Sequence, residues 1–220
     1  MRAFKTLILC AAAATTAAAL TLARPQGGGP LPPPLAPPEN LPTLDKILLG
    51  KILFWEEQLS SDNTVACGSC HAPQAGFSDL RTAVNPGPDG LMPTADDIFG
   101  SPGVIRQDPS SDYAPDPVFN LLTQVTGRHA PEIVAALYAP EAFWDGRASD
   151  TFVNPETLAV SIPTGGALES QIVGPPLNDI EMAHEARNWG QLTTKLATAR
   201  PWALATNQPA DAAAQIASHP

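Results

Sequence analysis

Three hydrophobic patterns follow one another along this chain. Positions 7 to 22 are apolar or small and carry no charge, behind Arg2 and Lys5 and ahead of Ala23 and Arg24. A basic start, an apolar middle too short for a stable membrane anchor and small residues near the cut predict a cleaved secretory leader over residues 1–23. Residues 24–42 are mostly Pro and Gly with little that can pack, which predicts an extended linker. The pattern then turns helical. Thr43 is a candidate N-cap, and Leu44, Ile47, Leu48, Leu49, Ile52 and Leu53 recur at helical spacing, predicting a helix from 44 to about 57. Further helices are predicted near 131–137 and 188–198, with long loops between them and few strands. The expectation is one all-α domain over 43–220, with no later segment apolar enough to span a membrane.

Charge and cysteine usage narrow this picture. Twenty-two acidic against twelve basic residues give a net charge of -10, which argues against nucleic acid and anionic membrane surfaces as partners and would suit a basic redox protein. Of three cysteines, Cys10 falls in the leader, where Leu9 is too large for lipoprotein processing; the mature chain keeps Cys67 and Cys70. Two cysteines at this spacing fit a redox disulfide, part of a zinc site or haem attachment. The next residue is His71, completing Cys67-Gly68-Ser69-Cys70-His71, the C-x-x-C-H signature of c-type haem. Two thiols add to the porphyrin vinyls, and the adjacent imidazole becomes an iron ligand. Zinc would ordinarily need four ligands, and no second cysteine pair follows. A thioredoxin-like site would need a long helix after the motif, where Pro73 and Gly76 interrupt the chain.

The surroundings of the motif carry a resemblance. Leu49-Gly50-Lys51-Ile52-Leu53-Phe54, then Leu59-Ser60, the haem motif and Gly76-Phe77-Ser78-Asp79 resemble the start of the bacterial dihaem cytochrome c peroxidase and MauG family. Arg128-His129-Ala130-Pro131 and Phe143-Trp144-Asp145-Gly146-Arg147-Ala148 are similar to a later block of that family, with His129 where Asn is usual. Gln171, Gly174-Pro175-Pro176-Leu177-Asn178 and Glu181-Met182 are similar to a third, with Asp179 in place of a Pro.

The resemblance implies a cytochrome c-like all-α fold, one covalent haem c in this chain, and reduction of hydrogen peroxide with electrons from a small redox protein in the periplasm. It is compatible with a homodimer. It casts Glu181 as the distal acid and base, Gln171 as the neighbouring distal amide and Trp144 as an electron relay. Arg147 is expected to anchor a haem propionate or a neighbouring Asp. For isolated residues the alternatives are a solvent-facing carboxylate, a core aromatic and a surface ion pair. No histidine lies between Ala72 and Arg128, so the iron is expected to be open or water-bound opposite His71; His129, His184 and Met92 are the other candidate ligands. Two stretches, about 84–117 and 153–168, read as insertions, the second as a hairpin over the haem edge. In the first, Asp89, Asp96 and Asp97 resemble a short calcium loop, with solvated turns as the alternative. The chain reads as stopping before the family's second haem domain. The competing function is a single-haem electron carrier, which would need a strong sixth ligand such as Met92.

Overall fold

The computed structural model describes residues 31–205 and 210–218; the expected leader lies outside the described residues. All the elements below belong to the compact unit that starts at Pro34. Helix α1 spans Leu44–Phe54, as its pattern predicts, and Thr43 Oγ1 accepts from Lys46 N at 3.2 Å at its start. Helix α2 is a single turn, Cys67–Cys70. Three two-stranded antiparallel sheets follow among the described residues. β1 (Ala83–Asn85) pairs with β2 (Ile98–Gly100), β3 (Pro102–Ile105) with β4 (Thr123–Val125), and β5 (Phe152–Val153) with β6 (Val160–Ile162). Helices α3 (Ala167–Ile172), α4 (Trp189–Leu196) and α5 (Ala210–Ser218) complete the order.

This corrects the all-α expectation: the architecture is mixed. The reason lies in the middle of the chain, where Pro and Gly recur too often for a helix to propagate, so the backbone pairs its polar groups in short hairpins instead. The predicted helix near 131–137 is also absent. In its place is a 3-10 turn at Ala135–Tyr138, where Glu132 Oε2 accepts from Ala135 N at 3.0 Å. Pro140 then holds Ala139 extended (φ -90°, ψ 138°), so no second turn can form. The helix near 188–198 is present as α4, with Asn188 and Gln191 exchanging side-chain-to-backbone bonds at 3.0 and 2.9 Å. No helix among the described residues is long and apolar enough to cross a membrane.

The core joins segments far apart in sequence. Leu59 and Val65 precede the haem motif, Val104 comes from β3, Met182 follows Glu181 and Leu192 comes from α4; all are buried together, with Leu53, Trp189 and Leu196 packed against them. Two backbone bonds tie this core to the segment that carries Glu181: Val104 N donates to Ile180 O at 2.9 Å, and Ser61 N to Met182 O at 2.8 Å. Thus the second half of the stretch 84–117 is structural framework, with Val104 only 1% exposed. The stretch 153–168 does contain a hairpin, β5–β6.

Candidate functional site

The attachment turn is built from both sides. Ser60 Oγ accepts from Thr64 N and Val65 N at 2.9 and 3.0 Å, shaping the loop into α2. His71 N donates to Cys67 O at 3.0 Å and closes the turn. The aromatic end of α1 packs on it: a Cβ added at Gly68 would collide with the Trp55 ring and lie 3.2 Å from Phe54 Cε1, so a larger residue there would have to displace the Trp55 ring. Phe54 in turn meets Phe77 edge-on, with ring centroids 6.2 Å apart.

Cys67 and Cys70 are free thiols. Burial pushes both up from the ordinary thiol value, Cys70 to about 11 even though the Arg81 guanidinium beside it pulls the other way. The His71 ring is oriented by Phe77 O, 2.8 Å from Nδ1. A carbonyl only accepts, so Nδ1 carries the proton and Nε2 keeps its lone pair for a metal. That hydrogen bond depends on a tight loop in which Ala72 N donates to Ser78 O at 3.0 Å and Phe77 takes a φ of 66°. Two unpaired thiols one turn apart and an imidazole with Nε2 available form a donor set that fits a covalent haem c.

Glu181 is half-buried in a turn that β3 reaches through the Val104 N–Ile180 O bond. Asn178 builds that turn: its Oδ1 accepts from Ile180 N and Glu181 N, both at 3.0 Å, and its carbonyl oxygen accepts from Met182 N and Ala183 N at 2.9 and 2.8 Å. Burial raises the Glu181 pKa above the usual carboxyl value, and the charges of His71 and Arg147 oppose that rise. Glu181 therefore lies within electrostatic reach of the candidate iron ligand.

The other candidates are placed less uniformly. Gln171 is half-buried in the last turn of α3. Trp144 is 86% exposed with Arg128 over its ring at 5.5 Å, which removes the core-aromatic alternative. Arg147 bonds Asp145 at 2.9 Å and lies over Phe143 at 3.4 Å, and Asp145 also takes Arg128 at 3.3 Å. Among the three candidate sixth ligands, His129 Nε2 donates to Arg81 O at 3.2 Å and Met92 is exposed in the β1–β2 connection. His184 is buried, and Ser61 Oγ accepts from its backbone N–H at 2.7 Å while meeting Nδ1 at 2.8 Å. Burial and the nearby Arg187 lower its pKa. The three aspartates serve turns: Asp96 Oδ2 accepts from Asp89 N at 3.1 Å, Asp97 Oδ2 from Thr94 N at 3.1 Å and Asp89 Oδ1 from Leu91 N at 2.8 Å. No group of three or more His, Cys, Asp or Glu positioned to hold a metal ion occurs among the described residues.

Phe77 and Arg81 were not singled out by the sequence. Phe77 acts through its carbonyl, which side-chain identity does not report; Arg81 follows Asp79 at a spacing that permits a local ion pair and would have been its signal.

Comparison with known proteins places this geometry. Residues 44–209 match the family described as di-haem cytochrome c peroxidase. The chain is 30% identical over 160 residues to cytochrome c peroxidase Ccp of Escherichia coli (strain K12), covering 72% of this chain and 23% of that protein. It is 51% identical over 51 residues to cytochrome-c peroxidase IdrP1 of Denitromonas iodatirespirans, covering 23% and 14%. Methylamine utilization protein MauG of Methylophilus methylotrophus is 47% identical over 47 residues, covering 21% and 14%. The matched stretches thus span less than a quarter of each relative's length.

Proposed function

Because this chain belongs to the di-haem cytochrome c peroxidase family, we propose that it forms the peroxide-binding part of an exported haem peroxidase, with one haem c held by Cys67, Cys70 and His71. The overall reaction is the reduction of hydrogen peroxide by two electrons from a small redox protein and two protons, giving two waters. A bound haem would supply the iron at which peroxide reacts and a route for electrons. Cys67 and Cys70 would hold that group covalently, and His71 would ligate it through Nε2, with its ring oriented by Phe77 O. Glu181 would take the proton from the near peroxide oxygen and deliver it to the far one, which leaves as water as the O–O bond breaks, and the two electrons and two further protons convert the remaining oxygen to the second water; Gln171 would orient the peroxide, and Trp144 would pass electrons toward the site. Arg147 moderates the charge at Glu181.

The observation that carries this reading is the half-buried Glu181 carboxyl, whose pKa responds to His71 and Arg147. A carboxyl whose pKa burial raises holds a proton more readily than an exposed one, which suits a group that both accepts and returns it. Glu181→Gln in the full haem-loaded protein is expected to lower the bimolecular rate with peroxide by roughly 10²–10⁴-fold. An unchanged rate removes Glu181 from the reaction. A low-spin ferric spectrum with a methionine sulfur band would instead support the electron carrier.

A further inference from the structure

Arg81 has no role in the scheme above, yet it is the side chain that meets the Cys70 sulfur. Its Nη2 donates to Cys70 Sγ at 3.1 Å and to Pro102 O at 3.3 Å. The same guanidinium is clamped on Asp79 by two parallel bonds, Nε to Oδ1 and Nη2 to Oδ2, both 3.0 Å. The Asp79 side chain is fully buried, and its Oδ1 also accepts from Arg81 N at 2.8 Å. Although the Arg81 side chain is 41% exposed, a bidentate pair on a buried carboxylate holds its planar fork in one place. Hydrogen bonds from Arg81 hold Asp79 below the usual carboxyl range although burial opposes them. Segment 77–81 therefore reaches both ends of the attachment motif, with Phe77 O on His71 and the Arg81 guanidinium on Cys70.

We infer that Arg81 is a positioning residue that holds the second thioether sulfur of the bound haem c and raises its reduction potential, with Asp79 as the fixed anchor. This rests on covalent haem attachment at Cys67 and Cys70. A thioether sulfur keeps its lone pairs, so Nη2 still has an acceptor after the thiol hydrogen has gone to the vinyl carbon. A fixed positive charge beside the porphyrin edge favours the reduced state, which carries one electron more. Asp79 offsets part of that charge. The guanidinium, however, is the group in direct contact with the Cys70 sulfur, at 3.1 Å.

The test is an optical redox titration of the full haem-loaded protein and of Arg81→Gln, Arg81→Lys and the double variant Asp79→Asn/Arg81→Gln, with covalent haem scored separately from the haemochrome spectrum. Arg81→Gln is expected to shift the oxidised-to-reduced ratio at fixed ambient potential about tenfold toward oxidised, about 59 mV for one electron. Arg81→Lys, which keeps the charge, recovers most of that shift. If Arg81→Gln fails to load haem because Asp79 is left buried and unpaired, the double variant decides. A double variant with the wild-type potential, or one that takes up no haem, overturns the inference and makes the pair a scaffold. Absence of covalent haem from the wild-type protein refutes the attachment reading instead.

Discussion

Replacing Gly103 by alanine would move the Glu181 turn without touching Glu181 itself. Gly103 lies in β3, whose next residue bonds Ile180 O through Val104 N at 2.9 Å. A Cβ at Gly103 would stand 2.8 Å from Ile180 C and 3.0 Å from Glu181 Cα, where ordinary contact begins at 3.4 Å; Ile180 O lies closer still. The Ile180–Glu181 backbone must then retreat by at least about 0.6 Å, and by of order 1 Å to clear the oxygen, because backbone atoms cannot rotate away as side chains do. Stretching the Val104–Ile180 bond costs about 1 kcal/mol. Disturbing the core beside it, where Val104 meets Met182, brings the expected destabilisation to roughly 2–4 kcal/mol. A displacement of about 1 Å at an acid–base group is worth about 100-fold in rate. Urea unfolding and stopped-flow mixing with peroxide would read the two effects. Gly127→Ala, where nothing lies within 4 Å of the added carbon, is the silent control. A Gly103→Ala protein with wild-type stability and peroxide rate would refute both the close approach of β3 to the turn and the dependence of reactivity on its position.

Two other perturbations follow from the same core and carboxyl group. Leu192, 1% exposed among Leu59, Val65, Val104 and Met182, is expected to cost roughly 3 kcal/mol on replacement by alanine, and a urea midpoint that hardly moves would show the cluster to be loosely packed. Because the folded protein holds the Glu181 proton to higher pH than the ordinary 4.5 of an unfolded chain, stability falls as pH rises from about 4.5 through the raised value and stays lower at neutral pH. Glu181→Gln is therefore expected to be the more stable protein at pH 7, with the advantage gone below about pH 4; melts showing wild type the more stable at pH 7 would contradict the burial.

Helices α1 and α4 were legible because their signals are local: Thr43 and Asn188 cap them, and apolar residues repeat within one element. The attachment turn was legible for the same reason, since thiols and imidazole lie within five residues. Of the sheets, only β5–β6 was expected, as a hairpin within 153–168; β1–β2 and β3–β4 were not. Strands of two to four residues are too short to display a period of two, and Val104, buried deepest among them, sits in a stretch so rich in Pro, Gly and Asp that it reads as surface loop. The helix expected near 131–137 failed through context, where Pro140 outweighed the alanines before it. Glu181 came from its likeness to a motif; its burial could not, because that depends on β3 arriving from nearly eighty residues earlier.

Asn178 gathers four backbone N–H groups, two on its side-chain oxygen and two on its carbonyl. The shape of the Glu181 turn is therefore written in one amide side chain and in main chain, and the side chains at 179 and 180 are left free to vary. Exposed Asp179 is thus a place where a lineage or an engineer can change surface charge beside the carboxyl group without rebuilding the turn, whereas Asn178 offers no such latitude: aspartate alone retains an acceptor at the same reach, and it would bring a second negative charge next to Glu181.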